Sequence, residues 1–166
     1  TVKKVAPQIS ANEIVQSNSK SLNISVAGIT PEFLDVRSFE IKKGRFISRS
    51  DVNSARSFVV IGPDLEEEFF KNKSSSLGEK IRIKDHTYEI IGILKPKGAV
   101  FGSNQDKNAY IPLTTMVNRI TGKDPTYGIS LSFISVEAKN KNATSAAKFQ
   151  ITNLLCLLYT SDAADE

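Results

Sequence analysis

Short stretches of alternating apolar and polar residues mark the first two thirds of the chain. Apolar residues take every second position between Leu22 and Val26, which is the pattern of a half-buried strand. Lys80–Lys84 and Tyr88–Leu94 alternate in the same way on either side of a polar turn and predict a β-hairpin. The mostly apolar run Ser57–Ile61 ends at a Gly-Pro pair, and its β-branched residues favour a buried strand.

Less regular segments complete the predicted set of elements. Further strands are predicted at Val2–Val15 (broken by Pro7), Phe39–Lys42, Asn108–Pro112 and Ile129–Ala138. Helices are predicted at a short segment opened by Thr30-Pro31-Glu32, and at Asp64–Lys71, Leu113–Ile120 and Asn142–Leu155. Strands outnumber helices and are often joined by tight turns. We therefore expect an α+β domain with a largely antiparallel or mixed sheet, and not a doubly wound nucleotide-binding fold.

The last eleven residues change the composition of the chain. Residues 156–166 resemble the translation of a sequencing adapter, so we expect an artefactual tail and exclude it from the prediction of the fold. The 166 residues have a net charge of +4. Without the three acids of the tail, 22 basic residues face 15 acidic ones, and the only cysteine, Cys156, is lost. No disulfide, zinc-thiolate or cysteine nucleophile is then predicted.

No motif predicts catalysis, a cofactor or a metal. His86, the only histidine, lies in the predicted hairpin turn, and neither Gly-x-Ser-x-Gly nor a phosphate-binding loop occurs. Asn104, Asp106 and Asn108 lack the glycine and final glutamate of an EF-hand. The basic residues are scattered without interleaved aromatic residues, so nucleic acid is not an expected partner.

Several segments, in chain order, resemble one known family over about residues 20–120. They are Val26-Ala27-Gly28-Ile29-Thr30-Pro31-Glu32-Phe33, Lys43-Gly44-Arg45-Phe46-Ile47-Ser48 with Asp51, Val59-Val60-Ile61-Gly62, Leu77-Gly78-Glu79-Lys80-Ile81-Arg82-Ile83, Tyr88-Glu89-Ile90-Ile91-Gly92-Ile93-Leu94, and Asp106 with Tyr110-Ile111-Pro112-Leu113-Thr114-Thr115. Ile29 departs from the family pattern by one apolar residue for another. The set is similar to the extracytoplasmic (periplasmic) core domain of MacB-type ABC transporter permeases, a group that includes FtsX, LolC and DevC-like subunits.

The resemblance implies a two-lobed domain between the first two membrane helices of a permease in the cytoplasmic (inner) membrane. A mixed α/β porter lobe would comprise about residues 1–30 and 127–155, and an inserted β-rich lobe about residues 31–126. The domain would catalyse nothing and hold no cofactor. Its implied partners are an ABC ATPase subunit or domain, a second permease in a homo- or heterodimer, and a periplasmic adaptor protein. It would couple ATP-driven motion to substrate export or to an extracytoplasmic partner.

The family motifs also have roles that follow from ordinary backbone chemistry. Gly44 and Gly78 lie where tight turns need a permissive backbone, and Gly92 inside a strand indicates a bulge or a close backbone approach. Arg45 is placed to pair with Asp51 across a turn. Gly28, Pro31 and Pro112 complete the set of structural turn and motif residues.

The long loop Lys95–Lys107 is predicted to be exposed, and such loops often carry function. We expect its segment Lys97–Lys107 to form part of a partner surface, with Phe101 as the apolar contact and Asn104 and Asp106 beside it. A solvated loop without a partner is the alternative.

Two other classes of function remain open at this point. A soluble secreted or periplasmic binding or adaptor module would share the fold but lack flanking membrane segments. A small hydrolase is disfavoured because no nucleophile–base pair is visible in the sequence. Apolar stretches of about 20 residues in the longer reading frame would distinguish the permease from the soluble module.

Overall fold

The computed structural model describes residues 2–18, 20–100 and 103–164 of the chain. It divides into two compact units, a larger one of Ala6–Ser135 and a smaller one of Thr1–Val5 with Val136–Glu166. The lobe boundaries expected from the family resemblance remain a prediction.

The larger unit contains most of the strands, and the first and last strands continue into the smaller unit. The strands are β1 (Val2–Ser17), β2 (Lys20–Ile29), β3 (Ile41–Gly44), β4 (Phe58–Ile61), β5 (Lys80–Ile83), β6 (His86–Leu94), β7 (Ala99–Val100), β8 (Ser103–Asn104), β9 (Ala109–Pro112) and β10 (Phe133–Ala138). The main sheet has the order β10-β1-β2-β9-β4-β6-β3, and β7 pairs with β8. Parallel pairs (β2 with β9, β4 with β6) occur beside antiparallel ones, so the predicted α+β class with a mixed sheet is confirmed.

Strand β5 closes six of the strands into a ring. It pairs antiparallel with β6 through four residue pairs and with β1 through Val15↔Ile83 and Gln16↔Arg82. The pairings therefore run β1-β2-β9-β4-β6-β5 and return to β1. Closure of the ring gives each ring strand a neighbour on both sides, which reduces the exposed strand edge.

Alternation along the ring strands separates two apolar cores. Val59 and Ile61 belong to a cluster to which all six ring strands contribute, whereas Val60 belongs to a second cluster on the outer face. Val26, Ile90 and Ile111 join the first cluster; Ala27, Leu94 and Tyr110 join the second. Because successive side chains of a strand point to opposite faces, one short apolar run supplies both cores.

Helices and helical turns complete the two units. They are α1 (Glu32–Val36), α2 (Arg49–Asn53), α3 (Pro63–Phe70), α4 (Leu113–Met116) followed by a π-helical turn (Val117–Thr121), 3-10 turns at Gln105–Lys107 and Lys141–Ala143, and α5 (Thr144–Ala164). Side chains of α3 and α4 join the first core, and Phe33 of α1 and Val52 of α2 join the second.

Three boundaries differ from the sequence prediction. β1 runs through Pro7 without a break. Its pairing with β2 begins only at Ile9, so the missing N–H of Pro7 does not remove a hydrogen bond to β2. Phe39 lies before β3 and packs in the second core. Its apolar side chain is explained by this burial and not by membership of a strand. β10 starts at Phe133 and not at Ile129, which is 46% exposed.

The smaller unit contains α5 and the ends of β1 and β10. Lys3 of β1 forms an ion pair with Glu137 of β10 at 3.1 Å, and both side chains are part-exposed. Asn140 caps the turn before α5 by accepting a hydrogen bond from the backbone N–H of Ala143 at 2.8 Å. No helix within the described residues is both long and apolar enough to span a membrane.

Candidate functional site

The loop that the sequence singled out, Lys95–Lys107, lies between β6 and β9 and ends with the 3-10 turn Gln105–Lys107. It contains the two-residue strands β7 and β8, which pair as Ala99↔Asn104 and Val100↔Ser103. Phe101, the expected apolar contact, lies outside the described residues, so its role stays a prediction.

Asn104 and Asp106 organise the base of this loop. Asn104 caps the 3-10 turn by accepting from the backbone N–H of Asp106 at 3.0 Å, and its amide donates to Asp64 of α3 at 3.1 Å. Asp106 is 9% exposed, and its two carboxylate oxygens accept from the backbone N–H groups of Lys97 (2.6 Å) and Gly98 (3.0 Å). The buried carboxylate thus fixes where the loop leaves the sheet, while Asn104 is the more exposed of the two.

Beside the loop, three aromatic side chains, two from the segment around α1 and one from β9, form one wall of a cleft. The rings of Phe33, Phe39 and Tyr110 have centroids between 5.3 and 5.7 Å apart. The cleft has a volume of about 620 Å³ and lies within the larger unit, on the outer face of β1, β2 and β9. Its polar lining is provided mainly by Gln8, Ser10, Ser25, Gln105 and Asn108.

Two cations border this aromatic wall. The Arg37 guanidinium lies 5.8 Å from the centroid of Phe33, and the Lys97 ammonium lies 4.9 Å from the centroid of Phe39. Both residues line the cleft. Cations at these distances from ring faces are attracted by the negative π-face, which holds them beside the apolar wall.

Burial raises the pKa of the Tyr110 phenol to about 12. The phenol therefore stays protonated at neutral pH and adds no negative charge to the cleft. The positive charges of Arg37 and Lys97 are then not offset by this side chain.

The remaining motif residues serve the scaffold around the cleft. Arg45 forms a two-pronged ion pair with Asp51, at 2.6 and 3.3 Å, and Asp51 also closes the capping box of α2 with Ser48. Pro31 and Pro112 occupy the N-cap positions of α1 and α4.

The glycine motifs mark close approaches and a turn. A Cβ added at Gly28 would lie 2.4 Å from Cβ of Met116, and one at Gly92 would lie 2.1 Å from the carbonyl oxygen of Arg45. Gly44 pairs directly with Gly92 between β3 and β6, while Gly78 lies in a turn with open space around it.

No cluster suited to metal binding is found in the part of the chain that the structure describes. His86 is exposed at the start of β6. No three His, Cys, Asp or Glu side chains within residues 2–18, 20–100 and 103–164 come together as metal ligands. The candidate site consists of the loop and the cleft beside it.

Sequence reasoning missed the cleft. Phe33 and Phe39 lie six residues apart, Tyr110 lies about seventy residues further along the chain, and each is explained locally as a core residue. Arg37 and Lys97 were counted among scattered basic residues. The one available signal was Lys97, which lies at the start of the loop segment singled out as a surface.

Comparison with known proteins gives the family. The profile described as "MacB-like periplasmic core domain" matches residues 1–154. The macrolide export ATP-binding/permease protein MacB of Shewanella sp. (strain ANA-3) is 33% identical over 134 residues, covering 78% of this chain and 20% of that protein. The protein of the same name from Syntrophobacter fumaroxidans is 30% identical over 162 residues, covering 95% and 21%. The chain thus spans about a fifth of the length of these curated relatives.

Solved structures agree on the fold. The crystal structure of the periplasmic region of MacB from Actinobacillus actinomycetemcomitans superposes with a TM-score of 0.80 at 26% identity, covering 96% of this chain and 68% of that one. The extracellular domain of the noncanonic ABC-type transporter YknZ from Gram-positive bacteria gives a TM-score of 0.72 at 21% identity, covering 87% and 70%, and shows the shared fold alone. The family resemblance seen in the sequence is confirmed: this chain belongs to the MacB-like periplasmic core domains of ABC-type permeases.

Proposed function

We propose that this domain couples ATP-driven conformational change in the cytoplasm to substrate export or to an extracytoplasmic partner. It lies outside the cytoplasmic (inner) membrane, between the first two membrane helices of a dimeric permease. The observation that carries the proposal is the family match over residues 1–154. The curated relatives carry the name ATP-binding/permease protein, which supports an associated ATPase domain or subunit.

The closed strand ring suits a larger unit that moves as a rigid body. Its core is continuous through all six strands, with Val59, Ile61 and Ile111 fully buried. Close-packed cores transmit displacement with little internal deformation. ATP binding in the cytoplasm would shift the equilibrium between two conformations of the permease. The domain would change position outside the membrane with that shift. We assign it no bond-making step and no cofactor.

The coupling test uses the full-length permease that contains this domain, in a background in which its own cysteines are replaced by serine. A single Asp85→Cys is labelled, because Asp85 lies in the β5–β6 turn with 83% of its side chain exposed. We expect a membrane-impermeant thiol reagent to modify it in intact cells lacking an outer-membrane barrier. We also expect ATP to change the distance between spin labels attached to Asp85→Cys in the two subunits of the permease dimer.

The control for this test is an ATPase that cannot bind ATP, which should leave the label distance unchanged. A thiol that reacts only after permeabilisation contradicts the sidedness. An ATP-insensitive distance contradicts the coupling. Release of the protein in the soluble periplasmic fraction would favour the alternative, a soluble binding or adaptor module.

The partner surface is proposed to include the loop Lys97–Lys107 with Phe101, Asn104 and Asp106. Its support is the anchored loop base, where Asp106 holds the backbone of Lys97 and Gly98. A periplasmic adaptor protein is the proposed partner. Phe101→Ala should weaken adaptor binding about tenfold or more, as expected for an aromatic contact at the centre of an interface.

The matched control is Tyr127→Ala, since Tyr127 is an aromatic residue of the same unit that is 87% exposed. It should leave adaptor affinity unchanged. Binding of purified permease to adaptor is measured by surface plasmon resonance, with transport as the second readout. Unchanged adaptor binding and transport in Phe101→Ala would count against the loop as the contact.

A further inference from the structure

The cleft beside the loop combines an apolar wall with two lining cations, while the nearby carboxylates of Glu40 and Asp106 lie outside the lining. Phe33, Phe39 and Tyr110 form the wall, and Arg37 and Lys97 are its only charged lining residues within the described part of the chain. No Asp or Glu belongs to the lining there. A volume of about 620 Å³ lies within the usual range of small-molecule sites, roughly 300–1,000 Å³.

Lys97 is held in place before any ligand arrives. Its ammonium donates to the carbonyl oxygens of Arg37 and Ser38, both at 2.6 Å, where α1 has just ended. Its backbone N–H donates to the buried carboxylate of Asp106 at 2.6 Å. An ammonium has three donors, so one remains for a ligand. A cation fixed in this way loses little side-chain entropy on binding.

Arg37 supplies the second charge of the lining. Its backbone N–H donates to the Phe33 carbonyl at 3.0 Å, which places the residue at the C-terminal end of α1. Its guanidinium lies over the Phe33 ring and makes no ion pair within the described residues. The two cations stand over neighbouring rings whose centroids are 5.4 Å apart.

We propose that this cleft binds a free, small amphipathic anion. An aromatic or other flat apolar body would pack mainly against Phe133, the lining side chain that is 60% exposed, because the rings of Phe33, Phe39 and Tyr110 are buried. A carboxylate, sulfonate or phosphate group would lie between Arg37 and Lys97, where guanidinium and ammonium donors give charge-assisted hydrogen bonds. The site is independent of the proposed coupling role, because neither needs the other.

The test compares two fluorescent dyes on the 166-residue chain. 1-Anilinonaphthalene-8-sulfonate carries an anionic group, and N-phenyl-1-naphthylamine has the same rings without it. The measured quantity is the ratio of their dissociation constants, since the apolar contribution common to both dyes cancels in it. Arg37→Gln should weaken binding of the anionic dye about tenfold relative to the uncharged dye, equivalent to about 1.4 kcal/mol.

Arg56→Gln is the matched control. Arg56 also places its guanidinium 5.8 Å from a phenylalanine centroid, that of Phe58, but it lies outside the cleft. It should leave the ratio unchanged. Ser135→Asp adds a carboxylate to the lining and keeps Arg37. It should weaken binding of the anionic dye, relative to the uncharged dye, by a similar factor. It keeps the proposal testable if Arg37→Gln does not fold.

Three outcomes would overturn the proposal. One is an unchanged ratio in whichever of the Arg37→Gln and Ser135→Asp variants folds. Another is an equal shift in Arg56→Gln. The third is Arg37-dependent binding to vesicles of anionic phospholipid with no binding of the soluble anion, which would assign the charges to a membrane surface. None of these results bears on the permease coupling test.

Discussion

Gly44→Ala is expected to lower the free energy of unfolding by about 4 kcal/mol. Gly44 has φ +73°, and an added Cβ would lie 2.2 Å from the carbonyl oxygen of Ile91 and 3.1 Å from Cα of Gly92. Backbone atoms cannot rotate away as a flexible side chain can. The substitution would therefore force β3 away from β6, where Gly44 pairs with Gly92. Urea unfolding followed by circular dichroism measures the change.

Gly78→Ala is the matched control for this prediction. Gly78 has a similar φ of +84°, but nothing lies within 4 Å of an added Cβ. It should therefore show the backbone strain alone, about 1–2 kcal/mol. The difference between the two variants measures the steric cost of the β3–β6 contact. Equal losses of stability would show that strand separation is not constrained at Gly44.

Asp51→Ala is expected to lower the free energy of unfolding by about 3 kcal/mol at neutral pH. The Asp51 side chain is 6% exposed, and its carboxylate accepts from the Arg45 guanidinium and from the backbone N–H of Ser48 at 2.9 Å. The substitution removes the capping box that starts α2 and leaves the Ser48 N–H without its partner. Chemical unfolding at pH 7 gives the value.

The same carboxyl group should make stability fall in acid. Burial works to raise the pKa of Asp51, but hydrogen bonds from Arg45 and Ser48 outweigh it and hold the pKa below its ordinary value. A group with a lowered folded pKa stabilises the fold above its unfolded pKa, about 3.9, and loses that contribution as pH falls through the folded value. The stability gap between wild type and Asp51→Ala should thus be constant near neutral pH and shrink below about pH 4.

Asp85→Ala provides the comparison for an exposed ion pair. Asp85 lies 3.7 Å from Arg82, and its side chain is 83% exposed. Its removal should change stability by less than about 1 kcal/mol, because exposed pairs are screened by solvent. A pH-independent gap for Asp51→Ala, or a loss no greater than that of Asp85→Ala, would contradict the proposed role of the Asp51 carboxylate.

Strand identity followed from the sequence wherever alternation was strong. The β5–β6 hairpin was predicted because apolar residues alternate on both sides of a polar turn, and the structure pairs Ile81 with Tyr88 and Ile83 with His86. The apolar run before Gly62 was predicted to be buried, and Val59, Val60 and Ile61 are all 0% exposed. These features depend on local order, which the chain carries directly.

Local order could not decide which strands meet. β2 pairs with β9, about eighty residues later, and β5 closes the ring on β1 through two residue pairs. Such pairings are set by how apolar faces from distant segments fit together. The loop gave a similar result: its existence was predicted, but the anchoring of Lys97 by Asp106 depends on the 3-10 turn that follows β8.

The sequence by itself determined the family, the α+β class and the positions of the glycines at tight contacts, because motifs, alternation and backbone permissiveness are local properties. Only the tertiary structure decided that Phe33, Phe39 and Tyr110 form one wall, and that Arg37 and Lys97 stand over it. Each of these residues has an ordinary local explanation. Their common surface arises from the parallel pairing of β2 with β9 and from the placement of α1 over the outer face, which are long-range consequences of packing.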